Sequence, residues 1–176
     1  MMHLPGRNES IPMTRRYPNL KRKVLERDGK IAQQIITAWD IEHDSDKVLR
    51  IFLKEQNNLS DQRYWELMRT VWIVCGSVHH NDIFRKLMQS KRKHQYYFST
   101  PEEAKIFNAI RDDDRVLAWR ATNDPNDNGL SWTFNKAYAI QYGLMFNKEH
   151  IIKKYFSKDQ IFAYINRNNE EEIIIL

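Results

Sequence analysis

The sequence predicts an α+β protein, a single domain over residues 1–176, helical through 1–112 and rich in short strands over 113–176. Three observations carry this. Apolar residues recur at helical spacing from about Val24 to Ile110. After Asp112-Asp113-Asp114 the texture changes to short apolar runs separated by polar turns. No internal repeat is visible, and no linker is long enough to divide the chain.

The elements follow in order. Residues 1–20 read as irregular, punctuated by Pro5, Pro12 and Pro18. Val24, Ile31, Ile35, Ile36 and Trp39 mark a first helix. Ser45 is placed to cap a second, whose apolar face is Val48, Leu49, Phe52 and Leu53. Ser60 caps a third carrying Tyr64, Trp65, Leu67, Met68, Val71 and Trp72. His80 or Asn81 opens a shorter helix with Ile83, Phe84 and Leu87. Thr100-Pro101-Glu102-Glu103 is a capping box with proline in the first turn, because the Thr and Glu side chains can satisfy each other's free backbone amides. Strands are expected over residues 115–120, 130–133, 151–156 and 161–165, and in the apolar run that follows Glu170-Glu171-Glu172. Asn135 is placed to cap a helix between the second and third of these.

Composition excludes several classes. Gly and Pro number five each, too few for a low-complexity chain, and 41% hydrophobic residues support a packed core. No run has the length of a membrane span, so no membrane partner is expected, and the start shows no apolar segment of a signal peptide. Cys75 is the single cysteine; it reads as a structural thiol and fits a reducing, cytoplasmic setting. The net charge is +5. Arg15, Arg16, Lys21, Arg22, Lys23, Arg27 and Lys30 form one basic cluster, and Arg85, Lys86, Lys91, Arg92 and Lys93 another. Such clusters are solvated faces, or they hold nucleic acid or an acidic protein. Tyr96, Tyr97 and Phe98 beside the second cluster are either base-stacking platforms or packing residues. His79 and His80 are adjacent and cannot converge on a metal, no glycine-rich phosphate loop is present, and Ser131 lacks a nucleophile-elbow context. No metal is expected.

Chemistry concentrates in the last third. Trp119-Arg120, Ser131-Trp132-Thr133 and Glu170-Glu171-Glu172 each place polar groups at the end of a strand candidate. A cation, hydroxyls and carboxylates in that arrangement suit a dinucleotide. Within a strand Glu170 and Glu172 point one way and Glu171 the other.

In that order these residues resemble the arginine–serine–glutamate class of mono-ADP-ribosyltransferases, in particular its small phage and bacterial members. The segment Gln160–Ile165 followed by Arg167 adds to the likeness, which covers roughly residues 115–176. Ala121 stands where the family commonly has glycine. The resemblance implies a small, split, mixed or antiparallel sheet buttressed by the helical part, with residues 113–176 binding NAD as co-substrate. It implies Glu172 as the carboxylate that stabilises the developing oxocarbenium-like sugar, Glu170 as the group that activates the acceptor, and Ser131 as the residue that orients Glu172. Arg120 would grip the phosphates or nicotinamide ribose, Thr133 would support the strand or touch ribose, and Phe134 or Tyr142 would stack on nicotinamide. An alternative register takes Glu171 as the catalytic acid beside Asn169; the apolar run starting directly after Glu172 favours Glu172. The implied activity is transfer of ADP-ribose to an arginine of a host, defence or other bacterial protein. Two further readings stand beside it: an NAD glycohydrolase, and a non-enzymatic protein whose basic clusters hold nucleic acid or an acidic partner.

Overall fold

The computed structural model describes residues 18–76 and 80–176. Arg15, Arg16 and His79 therefore lie outside the described residues, as do Pro5 and Pro12. Six α-helices and five strands are present among the described residues. Helix α1 spans Pro18–Asp40, α2 Ser45–Glu55, α3 Asp61–Cys75, α4 Asn81–Met88 and α5 Pro101–Ala109. Strand β1 spans Arg115–Thr122 and β2 Ser131–Thr133, then α6 covers Lys136–Met145, β3 His150–Ser157, β4 Ile161–Ile165 and β5 Glu172–Ile175.

Local chemistry sets most of the helix starts. Thr100 and Glu103 form the reciprocal capping box of α5, and the Ser60 and Asn135 side chains cap α3 and α6. Two expectations are corrected. Pro18 opens α1, since proline suits a first helical turn, so the irregular reading of residues 18–20 gives way to helix. Asp44, not Ser45, caps α2, its carboxylate accepting from the Lys47 amide at 2.7 Å.

The strands form one sheet in the order β3-β1-β2-β5-β4, and every neighbouring pair is antiparallel. Of the mixed and antiparallel alternatives expected, the sheet is the antiparallel one, and it is continuous across all five strands. One weakness resembles a split: β1 and β2 share a single register pair, Trp119 with Thr133, and then part.

Two cores sandwich the sheet. Leu130, Ala163, Ile165 and Ile174 face the helical layer and pack with Phe52, Trp65, Met68 and Trp72. Trp132, Ile173, Tyr164, Phe156 and Ile110 fill the other side. Alternation along β5 explains why Ile173 and Ile174 fall into different cores. Ile161 and Ala163 break the same rule, because an irregularity between them shifts the β4–β5 register. No helix among the described residues is long and apolar enough to cross a membrane.

Candidate functional site

Glu172 is the first residue of β5 and shares its face with Ile174, which packs on the helical layer. In the β2–β5 register Thr133 stands opposite Glu172 and Ser131 opposite Ile174, so Ser131 is the diagonal neighbour of Glu172 on that face. The Ser131 hydroxyl donates to Glu172 Oε1 at 2.5 Å. Because the carboxylate points toward the helices, the Trp72 indole reaches it from α3 and donates to Oε2 at 3.3 Å. Both oxygens are held by neutral donors. Burial pushes the Glu172 pKa up; the two hydrogen bonds and the Arg167 charge pull it part-way back, and the Glu170 charge raises it further.

Glu170 reaches the same space by a route that strand alternation did not anticipate. It lies before β5, in a turn with Asn168, Asn169 and Glu171 in the left-handed region at φ 49°, 62° and 46°. Asparagine tolerates that region; Glu171 is held there by its neighbours. Its carbonyl accepts from the Phe134 amide at 3.0 Å, and its amide donates to Asn166 Oδ1 at 3.3 Å. Thr133 Oγ1 donates to the Glu170 carbonyl at 2.5 Å, which makes Thr133 a clamp on this turn. The outcome is that Glu170 and Glu172 border one cavity of about 320 Å³, whereas Glu171 is not among its lining residues. Arg167 Nη2 donates to Glu170 Oε2 at 3.1 Å. Burial first, then the charge of Glu170 and a hydrogen bond to it, push the Tyr138 phenol up to about 12. Tyr138 therefore stays protonated, as a donor, at physiological pH.

Arg120 also borders the cavity, at the opening between β1 and β2. Its Nη1 donates to the Ser131 carbonyl at 2.7 Å and its Nε to Asp127 Oδ2 at 2.7 Å. A side chain thus closes the gap where backbone pairing stops. Asp127 in turn accepts from Thr122 Oγ1 at 2.9 Å and from the Gly129 amide at 2.7 Å. Burial would raise the Asp127 pKa, but Arg120 and these donors hold it below the ordinary value. Gly129 leaves room for that guanidinium: a Cβ there would stand 2.2 Å from Arg120 Nη2, so Arg120 would have to shift. Two of the five N–H groups of the fork expected to grip a ligand are thus engaged by the protein, through Nε and Nη1.

The aromatic candidates separate. Tyr142 borders the cavity. Phe134 instead stacks on Tyr164 in the far core, with centroids 6.0 Å apart, and is not among the lining residues. Trp72, Tyr138, Arg167, Asp127 and Lys148 border the cavity and were missed from sequence. Of these, Arg167 entered only as part of the run that follows Gln160–Ile165.

Other sequence features take structural roles. Arg92 donates to Asp61 Oδ1 at 3.0 Å and to the carbonyls of Leu59 and Gln56, and lies over the Tyr64 ring. It is an internal strut. Tyr96 and Tyr97 sit on a one-turn 3₁₀ helix, Gln95–Phe98, of which only Phe98 is buried. Burial pushes the Cys75 thiol up to about 11, so it stays a thiol, donating to the Ser45 carbonyl at 3.2 Å. No His/Cys/Asp/Glu cluster among the described residues could hold a metal ion. The sequence matches no protein-family model, no curated protein and no solved structure.

Proposed function

We propose that the protein is an NAD-dependent mono-ADP-ribosyltransferase acting on an arginine of a protein target. The observation that carries the reading is the Ser131–Glu172 hydrogen bond, made inside a cavity that Arg120 and Glu170 also border. A volume of about 320 Å³ falls within the span of small-molecule sites. Glu172 is fixed through both oxygens in a poorly hydrated setting, where a negative charge acts strongly on a nearby cation. In the reaction the bond between nicotinamide nitrogen and ribose C1′ breaks, and its electron pair leaves with nicotinamide. Glu172 stabilises the positive charge on the sugar. A guanidine nitrogen of the target then bonds to C1′ and loses a proton, which Glu170 accepts. Arg167 and Tyr138 keep Glu170 oriented. With water as acceptor, the same site would be an NAD glycohydrolase. That the target is a host, defence or other bacterial protein rests on the family resemblance alone.

The test is incubation with labelled NAD and a bacterial lysate, wild type against Glu172→Gln. Label on protein and released nicotinamide, both lost in the variant while its circular dichroism is unchanged, support the reading. Nicotinamide release without protein labelling identifies the glycohydrolase. Neither product from the wild type refutes the enzyme.

A second reading has one observation in its favour. Tyr96 is 64% exposed and lies 4.6 Å from the Tyr97 ring, flanked in sequence by exposed Lys91 and Lys93. Aromatics beside cations suit single-stranded nucleic acid. Charge reversal belongs at Lys91 and Lys93, because reversing Arg92 would break a strut. Loss of oligonucleotide binding in that variant, with no NAD turnover in the wild type, would select this reading.

A further inference from the structure

The charges bordering the cavity do not cancel uniformly. Three cations, Arg120, Lys148 and Arg167, face three carboxylates, Asp127, Glu170 and Glu172. Arg120 pairs with Asp127 at 2.7 Å and Arg167 with Glu170 at 3.1 Å. Two groups are left over. Lys148 has no ion-pair partner among the described residues, and Glu172 is held only by a hydroxyl and an indole. A ligand that fits this pattern is itself dipolar, anionic at one end and cationic at the other.

Lys148 is firmly rooted. Beyond the end of helix α6, Asn147 takes the left-handed region at φ 49°, and the Lys148 amide donates to the Gly143 carbonyl at 2.8 Å. This six-residue closure fixes the direction in which the chain leaves the helix. Gly143 is itself pressed against the sheet: a Cβ there would stand 3.1 Å from Ile151 Cδ1 and 3.4 Å from Ala121 Cβ. The lysine therefore projects from a helix end fixed against β1 and β3. A lysine after a helix C-terminus is often only a solvated complement to the helix dipole; this one borders the cavity.

We propose that Lys148 is the phosphate-binding cation of this site and that Glu172 receives the cationic nicotinamide–ribose end, so that the two unpaired charges set the direction in which the dinucleotide lies. Arg120, already engaged by Asp127 and the Ser131 carbonyl, is the clip that holds β2 in place. The assignment rests on the transferase reading for the identity of the ligand, and it differs from that reading in which residue carries the phosphates.

The experiment measures the affinity of three probes by calorimetry: NAD, ADP-ribose, which has both phosphates and no nicotinamide, and nicotinamide riboside, which has the cation and no phosphate. Lys148→Gln is expected to weaken NAD and ADP-ribose by about tenfold and leave nicotinamide riboside unchanged. Lys148→Arg, which keeps the charge, should stay within about threefold of wild type for all three. Glu172→Gln is expected to weaken the riboside and spare ADP-ribose. If ADP-ribose binds Lys148→Gln as well as wild type, or if the riboside weakens in parallel, the assignment is overturned, while NAD turnover by the wild type keeps the enzyme reading intact. A wild type that binds neither NAD nor ADP-ribose overturns both.

Discussion

Among the described residues two glutamates are buried, one at the junction of the helices and one at the start of β5, and they are treated in opposite ways. Glu103, 4% exposed, meets the Arg69 guanidinium through two hydrogen bonds of 2.6 and 2.8 Å and accepts from the amides of Thr100 and Asn166 at 2.8 and 2.9 Å. Burial alone would raise its pKa, but these partners hold it below the ordinary carboxylate value. Glu172, 8% exposed, has two neutral donors and a pKa pushed up. The first charge is compensated within the fold. The second is held in place and left for something else to complement. Glu103 ties α5, α3 and the turn after β4 together, and so it also anchors the turn that carries Arg167 and Glu170. The structural carboxylate supports the turn that brings Glu170 to the cavity.

The largest expected effect comes from removing the compensated charge. Glu103→Ala leaves the part-buried Arg69 without its carboxylate and the Thr100 and Asn166 amides without their acceptor, and should cost about 3 kcal/mol, read from urea or guanidinium denaturation. A loss under about 1 kcal/mol would show that the junction is not a strut. Next is Gly129→Ala, which forces Arg120 off its seat beside Ser131. Overpacking predicts a loss of about 1–3 kcal/mol, together with reduced NAD turnover.

A smaller change distinguishes the neutral donors. Trp72→Phe keeps an aromatic side chain where the indole packs edge-on to Phe84 at 5.1 Å, but deletes the pyrrole ring and with it the N–H that Glu172 uses. The cost should be about 2 kcal/mol, from the lost hydrogen bond and the small void together. The acid limb of the NAD turnover profile should move to higher pH, since a donor that stabilises the ionised form is gone. An unmoved limb would remove Trp72 from the site.

The last effect is a slope. Glu103 titrates lower in the folded protein than unfolded, so its contribution is present above the unfolded value, near 4.5, and is lost as pH falls through the folded value. Glu172 titrates higher when folded, so its ionisation costs stability, which declines as pH rises from about 4.5 through the folded value. Denaturation midpoints across pH should therefore show Glu172→Gln flattening the decline above 4.5. Above that window the variant should be the more stable protein. A slope identical to wild type would mean that Glu172 is not desolvated.

The sequence was most legible where chemistry is local. The Thr100–Glu103 box, the Ser60 and Asn135 caps and the run Ile161–Ile165 each depend on residues within one or two turns of each other. Ser131 and Glu172 were legible for another reason: a hydroxyl and an acid at the ends of two apolar runs stand out whatever the register. Pairing put them on one face, which no spacing of 41 residues could reveal. Glu170 reached its position through left-handed turn residues rather than through a strand period. Trp72 looked like one more apolar residue of a helix face, and its indole nitrogen met Glu172 only because α3 packs against that side of the sheet.

Arg120 marks the boundary. Its type and place in a strand were visible. Whether its guanidinium faced a ligand or an internal carboxylate depended on how β1 and β2 separate. Lys148 shows the converse: an ordinary lysine after a helix became notable once every other cation at the cavity had found a partner.

By itself, the amino-acid order determined the α+β division, most element boundaries and the residues able to carry charge or donate protons, because propensity, capping and alternation act over a few residues. Only the tertiary structure decided which charges neutralise each other and which stay open, because ion pairing and desolvation depend on distances between segments far apart in the chain.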